Sequence, residues 1–296
     1  MILNVSGRTD IVAFYSKWFL NRYKEGYVDV RNPFYDKKVS RIYFQDVDLL
    51  FFCTKNPIPI LNQLHKIKIP MLFHVTITPY KKDIEPNLPS KTQIIDAVKK
   101  LSALIGKENV VVRYDPVFIS DRYTLEYHIK AFDKLCKILD GSVKKILISF
   151  LDDYKNVRKN RKILNVKPFT DDDYKAIGTS FSKSAKEHGM IVHTCFEEQN
   201  LVEYGFSKGE CLSHELAYKL TGKIYKEEWT ARKERKCHCV KMVDIGVYNS
   251  CKHFCKYCYA NYDEKKVLEN YSKHIPTSSL LIGTLKDSDD ISVRKK

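Results

Sequence analysis

The sequence predicts an α/β fold: a partial (βα)6 TIM-like barrel, with helices packed outside a parallel sheet. Three observations carry this reading. Apolar strand-like runs alternate six times with amphipathic helical runs, and parallel strands require such crossover connections. Polar and charged residues recur at the C-terminal end of run after run, where folds of this kind assemble their sites. The 296 residues are 44% hydrophobic and 12% aromatic, which supplies a sizeable core and argues against overall disorder.

The first strand is "ILNV". "SGRTD" follows, and Asp10 caps a helix carrying Ile11, Phe14, Trp18 and Tyr23, stopped by Gly26. The stretch from Gly26 to Gln45, with "RNPFYDKK", reads as an excursion serving as a lid or substrate loop. "DLLFFC" is the second strand, and Asn56 with Pro57 opens a helix bearing Ile60, Leu61 and Leu64. After the third strand, "PMLFHVTIT", Ser90 and Gln93 form a capping box ahead of Ile94, Val98, Leu101 and Ile105. "NVVVRYDPVFI" is the fourth strand; its helix carries Ile129, Phe132, Leu135 and Leu139 and stops at Gly141. The fifth, "KKILISFL", precedes a second capping box, Thr170 with Asp173, before Tyr174, Ile177 and Phe181. "MIVHTCF" is the sixth, followed by a short helix around Leu216 to Leu220. Residues 1–200 thus read as the barrel core, 201–262 as a cysteine-rich segment packed on it, and 263–296 as a tail without periodicity.

Net charge is +15, from 51 basic and 36 acidic residues. Either an anionic partner is implied, nucleic acid or a phosphorylated metabolite, or lysines merely fill solvated faces. The start, "MILNVSGRTD", lacks the basic and apolar regions of a signal peptide, and no apolar run approaches the roughly 20 residues of a membrane helix. The expectation is a cytoplasmic chain without a membrane partner. In that compartment its nine cysteines point to metal or redox chemistry before disulfides.

Cys251, Cys255 and Cys258 stand in the pattern CxxxCxxC, with Tyr257 just before the last thiol. Iron–sulfur clusters are held by cysteine thiolates, and three ligands leave one iron of a 4Fe–4S cluster open to a small molecule. The competing reading is structural zinc, with His253 or Cys239 as fourth ligand. Cys195, Cys211, Cys237 and Cys239 form a second group, read as ligands of a second 4Fe–4S cluster; zinc and unliganded thiols are the alternatives. Cys53 and Cys136 fall in apolar patterns and read as buried packing.

The trio with its aromatic neighbour resembles the hallmark of the radical S-adenosylmethionine superfamily. Together with "VSGRTDI", "FFCTKNP", "FHVTITPY", "IEPNLP", "RYDPVFI", "SFLDDY", "HTCFEE" and "DIGVYNSCKHFCKYCYAN", it makes residues 3 to 262 resemble an uncharacterised radical-S-adenosylmethionine-like family with a C-terminal trio, distantly similar to the spore photoproduct lyase branch. The resemblance implies a radical enzyme that cleaves S-adenosylmethionine reductively and takes hydrogen from a small-molecule or nucleic-acid substrate of anionic character. Its cofactors would be one or two 4Fe–4S clusters and S-adenosylmethionine, fed by an external one-electron donor such as flavodoxin or ferredoxin. Tyr257 would lie against the cofactor. The late trio implies that the C-terminal segment folds back over the barrel mouth, facing Arg8, Lys55, Arg113, Asp115 and Glu197. Arg113 or Lys55 would take the methionine carboxylate, and Asp115 or Glu197 ribose hydroxyls or the amino group. The alternative is a non-catalytic iron–sulfur or zinc protein that binds nucleic acid through a basic surface.

Overall fold

The computed structural model describes residues 1–194, 197, 199–228 and 237–295. Its strands are β1 (Ile2–Asn4), β2 (Tyr27–Arg31), β3 (Lys38–Tyr43), β4 (Leu49–Thr54), β5 (Met71–Thr76), β6 (Val110–Val117), β7 (Lys145–Phe150), β8 (Ile191–Thr194), β9 (Ser207–Lys208), β10 (Val243–Asp244) and β11 (Asp290–Val293). The helices are α1 (Ile11–Phe14), α2 (Ser16–Glu25), α3 (Lys91–Ile105), α4 (Leu125–Leu139), α5 (Lys155–Lys159), α6 (Arg161–Leu164), α7 (Asp171–Glu187), α8 (His214–Thr221) and α9 (Glu264–Ser272).

Eight strands form one sheet in the order β10-β1-β4-β5-β6-β7-β8-β9. Every neighbouring pair is parallel. The six strands legible in the sequence occupy its middle. Two more, β9 and β10, are two residues each, too short to leave a periodic signal.

Side-chain alternation sends successive residues to opposite faces of this sheet. On one face Leu3, Leu50, Phe52, Phe73, Val75, Val112 and Ile146 pack against Trp18, Ile60, Ile94, Phe132 and Phe181. On the other, Ile2, Leu49, Phe51, Leu72, Val111 and Leu147 meet Leu212, Ala217, Val240 and Met242. The C-terminal third therefore fills the face that the outer helices leave uncovered.

Three stretches differ from the sequence expectation. The excursion after Gly26 is an antiparallel hairpin, β2 with β3, extended by β11 in parallel. Val28, Val39 and Ile42 are buried there, so the segment is anchored through one face. Ile58–Lys66 winds as a 3-10 helix instead of an α-helix. Pro57 and Pro59 each remove a backbone donor from it. Residues 263–296, read as a tail, contain α9 and β11 and bury Leu280 and Leu281. Trp18 Nε1 donates to Ser278 O at 2.8 Å, tying that stretch to α2.

Candidate functional site

The ends of β1, β4 and β5 converge on Asp10 and Glu85. Asp10 caps α1, its Oδ1 accepting from Ala13 N at 2.9 Å. Its Oδ2 accepts from Lys55 N at 2.8 Å and meets His253 Nε2 at 2.9 Å. Asp10 thus ties the loops after β1 and β4 to the histidine between Cys251 and Cys255.

Glu85, in the loop after β5, is 1% exposed. Its Oε1 accepts from Lys55 Nζ at 2.9 Å and Thr78 Oγ1 at 2.7 Å, and also from the Tyr257 hydroxyl. Lys91 Nζ donates to Oε2. Burial by itself would raise this carboxyl, but Lys55 and Lys91 outweigh it and hold it down to about 2. Two ammonium groups around one carboxylate leave a net positive charge beside the thiols. Lys55 Nζ lies 5.3 Å from the Tyr257 ring centroid, within cation–π range.

Cys251, Cys255 and Cys258 carry free thiols. Cys251 and Cys255 are buried, and Cys258 is half-buried. Burial raises all three, and at Cys251 the charges of Asp10, Cys258 and Cys255 add to it. Lys55 acts against this, favouring the thiolates of Cys255 and Cys258. Phe254 sits at φ 55°, a left-handed conformation rarely taken by a bulky residue, and turns the chain immediately before Cys255. The loop is held from outside itself. Asn87 Nδ2 donates to Lys252 O at 2.8 Å, Lys256 N to Ile84 O at 3.0 Å, and Asn156 Nδ2 to Cys258 O at 3.1 Å.

The donor chemistry fits an iron–sulfur cluster: three thiols on one short loop, two of them buried, with a cation favouring the ligating thiolate. Each thiol of such a cluster binds its own iron, so proximity is needed without convergence on one point. Among the described residues, no three His, Cys, Asp or Glu side chains form a group suited to a single metal ion. His253, considered as a zinc ligand, meets Asp10 through Nε2, with its ring 4.6 Å from that of Phe14, and its buried Nδ1 meets no hydrogen-bond partner among the described residues.

The remaining sequence-predicted residues lie along the neighbouring strands. Arg8 donates through Nη2 to Asp244 O at 2.8 Å. Arg113 Nε donates to Asp115 Oδ2 at 2.9 Å, and its Nη1 reaches Cys211 Sγ at 3.2 Å. Ser149 Oγ donates to Asp115 Oδ1, while Glu197 Oε1 accepts from Phe150 N at 3.0 Å. Each cation expected to receive a carboxylate therefore already meets one within the chain. Below Arg113, burial pushes His74 down to about 3 and Cys53 up to about 12, so both are neutral at pH 7. Cys237 and Cys239 are buried. Cys195 lies outside the described residues.

Asp10, Glu85 and Lys91 were not legible as site residues. Asp10 signals only a helix cap, and Glu85 is one carboxylate in a proline-flanked loop with no periodicity around it. The close approach of two site loops was likewise hidden. A Cβ on Gly7 would lie 1.9 Å from Asp244 Oδ2, so any side chain there would have to displace the Asp244 carboxylate where the loop after β1 meets β10.

Residues 2–260 match the family described as "Domain of unknown function (DUF1848)". No curated protein matches the chain. Among solved structures, it is similar to "Spore photoproduct lyase complexed with dinucleoside spore photoproduct", at 14% identity and a TM-score of 0.36 over 49% of this chain and 50% of that one. A mutant form of the same lyase matches at 16% identity, with the same TM-score and coverage. The chain thus spans about half the length of the solved structures it matches. It belongs to the DUF1848 family.

Proposed function

We propose that this member of the DUF1848 family is a radical S-adenosylmethionine enzyme, with Cys251, Cys255 and Cys258 holding a 4Fe–4S cluster. One observation carries the proposal: the loop bearing the three free thiols joins, through Tyr257, the Lys55–Glu85 network at the sheet's strand ends. When bound, the cluster and S-adenosylmethionine supply one-electron cleavage of the sulfonium and a carbon radical that abstracts hydrogen.

The chain's own residues bind, orient and shield. Residues 249–262 lie across the strand ends as a lid over a barrel mouth, supported by the contacts of Asn87, Asn156 and the Tyr259 hydroxyl with Gly7 O. Lys55 offsets negative charge on the ligating sulfurs, and Glu85 fixes Lys55 and the Tyr257 hydroxyl in place. His253 with Asp10 orients the loop between the first two thiols. Arg8, Arg113, Asp115 and Glu197 line the substrate side. Arg113 or Lys55 would bind the methionine carboxylate, and Asp115 or Glu197 a ribose hydroxyl or the amino group. Cys211, Cys237 and Cys239, with Cys195, would hold a second cluster or a zinc ion. The substrate is anionic, a nucleotide or a nucleic acid, in keeping with the charge of +15.

Anaerobic reconstitution with iron and sulfide, then reductant and S-adenosylmethionine, tests the proposal. The expected result is iron on the trio and 5′-deoxyadenosine well above a Cys255→Ala control. Zinc on the trio, with no 5′-deoxyadenosine above that control, would sink it.

A further inference from the structure

A cluster on Cys251, Cys255 and Cys258 is buried and must receive its electron from outside. Residues 155–162, which span α5 and the start of α6, carry five basic residues and no acidic one. The inner side of this segment grips the cysteine loop, with Asn156 Nδ2 on Cys258 O at 3.1 Å and Asn160 Nδ2 on Lys256 O at 2.7 Å. Lys155, Arg161 and Lys162 are exposed, and none of them pairs with a carboxylate among the described residues. Between the segment and the loop opens a cleft of about 340 Å³, with Cys255 on its wall beside Lys159, Lys256 and Lys265. Asp263 and Glu264 also line it, and Glu264 is paired to Lys256 at 2.8 Å.

Among the described residues, none of Arg8, Lys55, Glu85, Arg113 or Asp115 lines this cleft. It is a second approach to Cys255, separate from the strand-end groups where a substrate would react. That separation favours an electron carrier over a nucleic-acid substrate as the occupant of the basic face.

We propose that the face formed by residues 155–162 and the cleft beside Cys255 docks a small acidic one-electron donor, a flavin or iron–sulfur carrier protein. The inference rests on the reading of the trio as cluster ligands. In the docked pair the reduced carrier loses one electron and the cluster gains it; no bond forms or breaks. Complementary charge steers such encounters and raises association rates by roughly 10- to 1000-fold, an effect that fades with salt. Weak electron-transfer encounters also need only a small interface, which a cleft and three cations can provide.

The test uses the full chain, reconstituted anaerobically, with a flavodoxin as probe and the variant Lys155→Glu/Arg161→Glu/Lys162→Glu. Flavodoxin affinity and the rate of cluster bleaching by reduced flavodoxin are measured across a salt series, with dithionite as the small reductant. The expected result is a drop of about tenfold or more in both affinity and flavodoxin-driven rate at low salt. Iron content and dithionite-driven rate should match the wild type. An unchanged flavodoxin rate in a variant that loads iron overturns the docking site while leaving the cluster reading intact. A wild type that takes up no iron, yet loses flavodoxin affinity in the variant, upholds the docking site and sinks the cluster reading. A wild type that ignores flavodoxin but binds single-stranded DNA or RNA through these three residues overturns the proposal in favour of nucleic acid.

Discussion

Among single residues, Glu85 decides most. It pairs with both Lys55 and Lys91, and it is almost fully buried. Replacing it with glutamine leaves two ammonium groups facing each other without a counter-charge, which costs about 3–5 kcal/mol for a buried pair. Urea unfolding of Glu85→Gln should show a loss of that size. The acid limb gives a second check. The Glu85 carboxyl is lowered from the ordinary 4.5 to about 2 in the fold, so its contribution is present above about 4.5 and lost as pH falls towards 2. Glu85→Gln should flatten that slope in the metal-free protein, and a variant with the wild-type slope would remove Glu85 from the network. Sequence reasoning singled out Cys251, Cys255, Cys258 and Tyr257 because their spacing is local. It passed over Glu85, whose partners come from four separate places in the chain.

At the scale of elements, the local signals were legible and the pairings were not. Ser90 with Gln93 and Thr170 with Asp173 form the capping boxes their sequence spacing announces, at the starts of α3 and α7. Gly26, the expected stop of the first helix, closes α2 at φ 84°. That helix is nevertheless broken at Tyr15, whose hydroxyl turns to Ser250 O, a partner 235 residues away. The junction of β1 with β10 is another such pairing. Gly7→Ala forces a methyl against Asp244 and should destabilise the fold by roughly 1–3 kcal/mol, the cost of overpacking. In an Asp244→Ala background most of that cost should vanish. If the two losses simply add in a double-mutant cycle, the loops do not meet as described.

For the whole molecule, the C-terminal stretch is structural as well as functional. Leu280 and Leu281 are each 2% exposed, and burial of each is worth roughly 1.5–3 kcal/mol. Deleting residues 277–296 also removes the acceptor of Trp18 Nε1 and the strand beside β3. Thermal unfolding should shift clearly downward, and an unchanged midpoint would restore the reading of this stretch as a tail. By itself the sequence determined the six alternating units, the caps at Asp10, Ser90 and Thr170, and the CxxxCxxC spacing, because periodicity, capping and motif spacing are written over a few neighbouring residues. Tertiary structure decided that β9 and β10 extend the sheet, that the excursion after Gly26 is a hairpin, and that Asp10 and Glu85 meet the cysteine loop. Those outcomes depend on contacts between residues far apart in the chain, and only folding into one core fixes which distant charges and strand edges become neighbours.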